Sequence, residues 1–256
     1  MSSDELYLRC MFDTAGLRWY QQEAALKGRY NAPWRKTRAG SRPPYGLDHI
    51  FYLPMGSGKT LIAAIILKDW EHTQKPDATE KSLVIAPTVQ IALQWYQTLR
   101  KWLKAPPCLT CRKEQKGDIV KSSVIITTIA TLTIAGDAHR DRVTQWAPFN
   151  AVNIWDEVHG ERTSKRKEVK NQIDPQNEGR WIGLTGTACR RIDGEFSETV
   201  DAFGGRIFSV PYERLREEGF LSTIVWRHLC LTSHATWLLF PFIVHGLLKD
   251  RKTLIF

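Results

Sequence analysis

Two stretches of this chain hold residue types that could work on a phosphate. The first is Pro54-Met55-Gly56-Ser57-Gly58-Lys59-Thr60. Glycines let a backbone come close to an anion and turn its N–H groups inward. A helix beginning at that point adds free amides and the positive end of its dipole. Lys59 would reach the β- and γ-phosphates of a nucleotide, and Thr60 would hold Mg²⁺ through its hydroxyl. Met55, Gly56, Ser57 and Gly58 would supply the cradle. The strict form of such a loop wants a glycine where this chain has Leu53. A glycine-rich turn followed by lysine would mean little without the right flanks and a second motif.

The second stretch is Ala151 to His159, an apolar run that ends in Asp156-Glu157. Asp156 would hold Mg²⁺, and Glu157 would orient an attacking water and take its proton. They must be adjacent at a strand end so that both face the γ-phosphate. An isolated Asp-Glu pair is ordinarily a solvated surface pair. Here it closes an apolar strand in a chain that already has the loop.

Both stretches need elements to hold them. His49 to Leu53 reads as a buried strand and Leu61 to Lys68 as a helix, so the loop has a strand before it and a helix after it. Ser82 to Ala86 is a strand stopped by Pro87. Val89 to Lys104 is a helix with apolar Ile91, Leu93, Trp95, Leu99, Trp102 and Leu103, ended by Pro106-Pro107. Further strands are predicted at Val124–Thr128, Ala151–Trp155 and Arg180–Leu184, the last running into Thr185-Gly186-Thr187. Leu17 to Leu26 reads as a helix. Met1 to Asp13 reads as a loose start, Lys27 to Gly46 as an exposed basic loop and Cys108 to Gly117 as a basic link. Ala135 to Pro148 is polar, with helix toward Trp146, and Gly160 to Gly179 is a charged loop or surface helix. Strands alternating with helices predict an α/β fold, a parallel sheet covered on both faces.

The 256 residues, 43% of them hydrophobic, suffice for one good core and part of a second. Lys and Arg number 36 against 27 Asp and Glu, a net charge of +9 that favours a polyanion partner. Five cysteines, an odd number, with no signal peptide in view, point to a reducing cytoplasm. Cys108 and Cys111 have zinc-knuckle spacing but no second pair. Trp237 to Leu248 is apolar but too short for a bilayer, so no membrane association is expected.

With these pieces in order, the chain resembles the first RecA-like motor domain of a superfamily 2 helicase, of the DEAH/DEAD-like kind. The resemblance covers roughly Leu17 to Phe220. It is closest to the DNA-acting branch that includes type III restriction subunits and phage or repair helicases. Leu17-Arg18-Trp19-Tyr20-Gln21 looks like that branch's adenine-reading motif, with Trp19 where proline is common. Pro54 to Thr60 resembles motif I in its helicase-like variant, with Met55 where threonine is usual. Ala86-Pro87-Thr88 with Gln94-Trp95 resembles motif Ia, Thr128 to Leu132 motif Ib, Asp156-Glu157-Val158-His159 motif II and Gly183 to Thr187 motif III. The Asp-Glu-x-His ending points away from superfamily 1. The chain has no Asn-Lys-x-Asp for guanine, and Gln94-Trp95 departs from the RNA-unwinding pattern, so DNA is favoured over RNA.

The resemblance implies ATP and Mg²⁺ as ligands and a role for each matching residue. Gln21 would read adenine. Thr88, Gln94 and Thr128, with the basic Arg100 and Lys101, would meet a nucleic-acid strand. His159, Thr185 and Thr187 would report the γ-phosphate state to a partner domain. Residues 1–220 would form the ATP-binding domain, and 221–256 a linker with the opening of a second RecA-like domain. The expected activity is that of an ATP-dependent DNA helicase or translocase motor. The alternative is a catalytically incomplete nucleotide- and DNA-binding subunit or fragment that needs a second chain for the other motor domain. On either reading the isolated chain is expected to turn over weakly or not at all.

Overall fold

The computed structural model describes residues 3–28, 49–74, 81–111, 114–133, 152–160, 163–173, 180–186, 199–201, 203 and 205–221, all within one compact unit, Met1–Leu221. The expectations for Ala135–Pro148, for most of Lys27–Gly46, for Thr187 and for residues 222–256 lie outside the described residues.

Among the described residues one sheet holds eight strands: β1 (His49–Tyr52), β2 (Ser82–Ala86), β3 (Cys108–Cys111), β4 (Glu114–Lys116), β5 (Val124–Thr128), β6 (Val152–Trp155), β7 (Arg180–Thr185) and β8 (Ile207–Ser209). Their order is β4-β3-β5-β2-β6-β7-β1-β8. Every neighbouring pair is parallel except β3 and β4. Tyr52 pairs with Thr185, Trp155 with Gly183 and with Ile85, and Ala86 with Thr128. The carboxyl ends of the five strands β1, β7, β6, β2 and β5 therefore fall along one edge. In open α/β sheets that edge is where ligands bind.

The alternation of side chains along each strand builds two cores. Phe51, Val84, Ile126, Ile154 and Ile182 point to one face. Ile50, Leu83, Ile125, Trp155 and Trp181 point to the other. The first face is covered by α1 (Ser3–Ala15), α2 (Trp19–Gly28), α3 (Lys59–Thr73) and α4 (Val89–Trp102). The second is covered by α5 (Ile129–Thr133) and α6 (Thr163–Ile173). A sheet buried on both sides explains why its strands read as nearly unbroken apolar runs. A last short helix, α7 (Tyr212–Glu217), buries Leu215 against the first core.

Two sequence expectations are corrected here. Ser3 to Asp13 are not a loose start but belong to α1. Leu8, Met11 and Phe12 lie one helical turn apart and are buried, which gives α1 a docking stripe. Nor is Cys108–Gly117 only a link. All four residues of β3 are buried, and Thr127 Oγ1 donates to Thr110 O at 2.8 Å. The charged stretch after the Asp-Glu pair resolves to the helical option: α6 docks through Val169 and Ile173, four residues apart. No helix among the described residues is long and apolar enough to cross a membrane. None of them gathers three metal-binding His, Cys, Asp or Glu side chains.

Candidate functional site

The loop between β1 and α3 begins by extending the sheet. Leu53 N donates to Thr185 O at 3.0 Å, and the turn closes with Ser57 N on Pro54 O at 3.2 Å. Gly56 (φ 79°) and Gly58 (φ 83°) lie in the left-handed region. Gly58 is the N-cap of α3 and offers no side-chain cap to its first amides. Met55 stands 77% exposed at the tip. Thr60 is half-buried in the first turn of α3. Lys59 folds back, donating from Nζ to Leu53 O at 3.1 Å and to Pro54 O at 3.5 Å. Burial holds its pKa below the usual lysine range, against the pull of Glu157 and Asp156. The same amine lies beside motif III: a Cβ at Gly186 would stand 2.9 Å from Lys59 Nζ.

A second layer supports the loop from behind. Gln21 is buried at the start of α2, donates from Nε2 to Ser57 O at 2.8 Å and accepts from Arg18 N at 2.9 Å. Tyr20 OH donates to the same carbonyl at 2.9 Å. The Gln21 amide keeps one N–H and one lone pair beyond these bonds. The start of α2 is pinned in turn to the chain after α7. Arg18 Nη1 donates to Phe220 O at 2.7 Å and its guanidinium lies over the Phe220 ring, 4.8 Å from the centroid. Trp19 Nε1 donates to Glu218 Oε2 at 2.6 Å.

The acidic pair closes β6. Asp156 N donates to Ile85 O at 2.9 Å, which continues the pairing with β2. Asp156 is 8% exposed. Its Oδ2 accepts from Trp95 Nε1 at 2.8 Å and its Oδ1 from Glu157 N at 3.0 Å. Burial raises the Asp156 pKa, and the Trp95 bond works against that rise. Glu157 sits at φ 50°, the one non-glycine in the left-handed region among the described residues. His159 Nδ1 lies 2.7 Å from Thr185 Oγ1 and 3.2 Å from Glu157 Oε2. The first contact is a hydrogen bond; the second is a close approach in which Oε2 accepts no hydrogen bond.

Among the described residues, two buried oxygens at this edge lack hydrogen-bond partners, Ser57 Oγ in the loop and Glu157 Oε2 after β6. A hydroxyl that can donate to an anion and a carboxylate that can accept from water suit a metal-bound nucleotide. The donor set fits as well: Lys59 and the open amides of α3 for phosphate, and Thr60 and Asp156 for a hard cation that prefers oxygen.

The expected nucleic-acid residues are spread more widely. Thr88 is exposed and caps α4, its Oγ1 accepting from Ile91 N at 3.3 Å. Gln94 is exposed midway along α4, with Arg100 and Lys101 exposed in its last turn. Thr88 and Arg100 are roughly 18 Å apart along the axis. Thr128 is 3% exposed, and its hydroxyl accepts from Thr131 N at 3.3 Å, capping α5. Thr187 lies outside the described residues.

Sequence reasoning missed Tyr20 and Trp95. Tyr20 is named within the Leu17–Gln21 motif but given no role of its own. Trp95 enters as an apolar position of α4 and as part of the motif Ia resemblance, and nothing in its spacing signals a bond to an acid 61 residues away.

The sequence matches the family described as "Type III restriction enzyme, res subunit" over residues 15–190. A comparison with curated proteins found no match. Among solved structures, the chain is similar to the UvsW helicase from bacteriophage T4, with TM-score 0.52 and 20% identity over 75% of this chain and 60% of that one. It is similar to the Pyrococcus furiosus Hef helicase domain, with TM-score 0.55 and 18% identity over 80% of this chain and 41% of that one. It is similar to the Sulfolobus solfataricus SWI2/SNF2 ATPase core, solved in complex with dsDNA, with TM-score 0.52 and 16% identity over 76% of this chain and 44% of that one. At these identities the likeness establishes the fold, a RecA-like helicase domain. The chain spans less than two thirds of each of these structures.

Proposed function

We propose, for a chain that belongs to the type III restriction enzyme res-subunit family of superfamily 2 helicases, that its helicase-family motor domain hydrolyses Mg-ATP in step with nucleic-acid binding, on DNA in preference to RNA. The observation that carries this reading is a convergence. The Lys59 loop, the Asp156–Glu157 pair and the His159–Thr185 bond meet at the carboxyl edge of one parallel sheet.

Each residue has a part in this reading. The backbone of Met55 to Gly58 and the Lys59 amine bind the phosphates. Bound Mg²⁺ would neutralise and align phosphate oxygens, held by Thr60 and Asp156. Glu157 orients water and accepts its proton. Gln21, already fixed to the loop, turns its remaining N–H and lone pair to adenine. His159 and Thr185, with Thr187, pass the state of the γ-phosphate onward. Thr88, Gln94, Arg100 and Lys101 meet the nucleic-acid backbone, and Thr128 fixes the start of α5 beside them. In this scheme residues 1–220 are the ATP-binding domain, and 221–256 are a linker with the opening of a second RecA-like domain.

One observation favours a second reading. Among the described residues, Lys59 is the cation that acts on Asp156. An arginine brought to the γ-phosphate is worth about 10³–10⁵ in rate in related phosphoryl-transfer enzymes. In the second reading this chain binds nucleotide and DNA, and another chain supplies that arginine with the other motor domain.

The test compares wild type with Glu157→Gln, using fluorescent-ATP binding and DNA-dependent phosphate release. The amide keeps the shape of the side chain and cannot accept a proton. Retained binding with turnover reduced by at least about a hundredfold is expected. Equal turnover in both proteins would remove Glu157 as the base. Turnover that arises only on mixing with a second polypeptide would select the second reading.

A further inference from the structure

Helix α4 has two working sides. Thr88 at its cap and Gln94, Arg100 and Lys101 along it are exposed. Trp95, with Ala92 and Leu99, faces the core and is 1% exposed. An indole N–H in a core usually finds some backbone carbonyl. Here it reaches the side chain at the end of β6: Trp95 Nε1 donates to Asp156 Oδ2 at 2.8 Å.

We propose that Trp95 is a positioning residue for metal binding, its indole N–H fixing the rotation of the Asp156 carboxylate and tying that carboxylate to helix α4. The proposal rests on the nucleotide-binding reading of the site. Asp156 is held at three points: its N–H on Ile85 O, its Oδ1 by Glu157 N and its Oδ2 by Trp95. The first two belong to β2 and to its own chain neighbour. Trp95 is the one that comes from a separate helix. Each carboxylate oxygen keeps a further lone pair for a cation or its water. With Trp95 in place the carboxylate enters that role already oriented. Without the N–H, a buried acid loses one of its two side-chain bonds and is free to turn. Hydrogen bonds to charged groups are the stronger class, so the loss is felt at the metal. The arrangement also gives α4 a direct mechanical path to the nucleotide. A nucleic-acid strand pressing on the exposed Gln94 and Lys101 would bear on the helix whose opposite, buried side holds Asp156. That path is separate from Thr185, the partner of His159, which ends β7 on the other side of β6 from β2.

Trp95→Phe keeps the ring in the core and removes the donor. Binding of a fluorescent ATP analogue to the full chain is titrated in EDTA and across a series of Mg²⁺ concentrations, for wild type and variant. We expect equal affinities in EDTA, and an Mg²⁺ midpoint raised about tenfold in the variant. In an Asp156→Ala background the Trp95→Phe change should leave the midpoint where it is. A readout on the wild type does not depend on the variant folding. The Trp95 indole ¹⁵N–¹H resonance should move when Mg²⁺ is added to the nucleotide complex. Equal midpoints, an equal fall in affinity with and without Mg²⁺, or an unmoved indole resonance would each overturn the role of Trp95. If the wild type shows no Mg²⁺-dependent nucleotide binding, the reading of the site falls and takes this role with it.

Discussion

Replacing Gly58 by alanine should cost more than replacing Gly56, though both sit in the same loop in the same kind of backbone conformation. At φ 83° and φ 79° each pays the left-handed penalty of a Cβ, about 1–2 kcal/mol. Each also gains the small unfolded-state benefit of losing a glycine, and that term cancels between them. The neighbours differ. A Cβ at Gly56 would meet only Leu221 Cδ2, at 3.4 Å, which is ordinary contact. A Cβ at Gly58 would stand 2.5 Å from Gln21 Nε2, the atom that donates to Ser57 O. Gln21 must then withdraw, and the loss of its buried bond adds about 1 kcal/mol. Ser57 O keeps Tyr20 OH, so no buried carbonyl is orphaned and the extra cost stays near that value. Urea unfolding should therefore show losses of about 1–2 kcal/mol for Gly56→Ala and about 2–3 kcal/mol for Gly58→Ala. In a Gln21→Ala background the two should become equal. Equal losses in the wild-type background would refute the Gln21 contact as the cause.

Two more outcomes follow from charge. Lys59→Met should abolish most Mg-nucleotide binding. It should also flatten the alkaline stability profile: folded Lys59 gives up its proton at lower pH than the unfolded chain does, so wild-type stability rises with pH between those two values. Chemical denaturation across that window reads the slope, and an unchanged slope in the variant would show that Lys59 is not displaced by burial. With a net charge of +9, DNA binding should be independent of sequence and weaken steeply with salt as counterions are retained. Fluorescence anisotropy that shows no binding at low salt, or no salt dependence, would remove the nucleic-acid reading.

The sheet and the two motifs at its edge were legible because each has a local cause. Short apolar runs rich in β-branched residues, such as Leu83–Ile85 and Ile125–Ile126, bounded by polar residues or proline, suit strands buried on both faces, and both are. Glycine, glycine and lysine between a strand and the apolar Leu61–Leu67 read as a turn into a helix, and α3 begins at Lys59. What could not be read was decided by distant partners. β3 looked like a basic link because its neighbours are charged. It is a strand because β5 offers Leu109 a place beside Ile126. α1 looked loose because polar residues interrupt Leu8, Met11 and Phe12, and only the packed face shows that they share one side. Gln21 was legible as a type. Its attachment to Ser57 was not, because the two are joined across thirty-six positions of chain.

The same contrast separates the loop from the acid pair in energetic terms. The loop's left-handed positions are filled by glycines, so its conformation comes at little cost. The pair has no such relief: Glu157 adopts φ 50° with a full side chain and holds a buried Oε2 without a hydrogen-bond partner. A strained non-glycine costs on the order of 1–3 kcal/mol and survives only where its surroundings over-determine it. The surroundings here are specific. Asp156 N on Ile85 fixes the residue before it, Val158 is buried after it, and His159 is held by Thr185. Strain maintained by three separate elements is not an accident of one turn. Turning the side chain toward solvent would expose Oε2 but leave φ at 50°, so the strain belongs to the backbone that these neighbours hold. Glu157 Oε2 is thereby kept on the edge where Lys59 and the Ser57 hydroxyl also sit, and this supports the proposal that Glu157 accepts the proton.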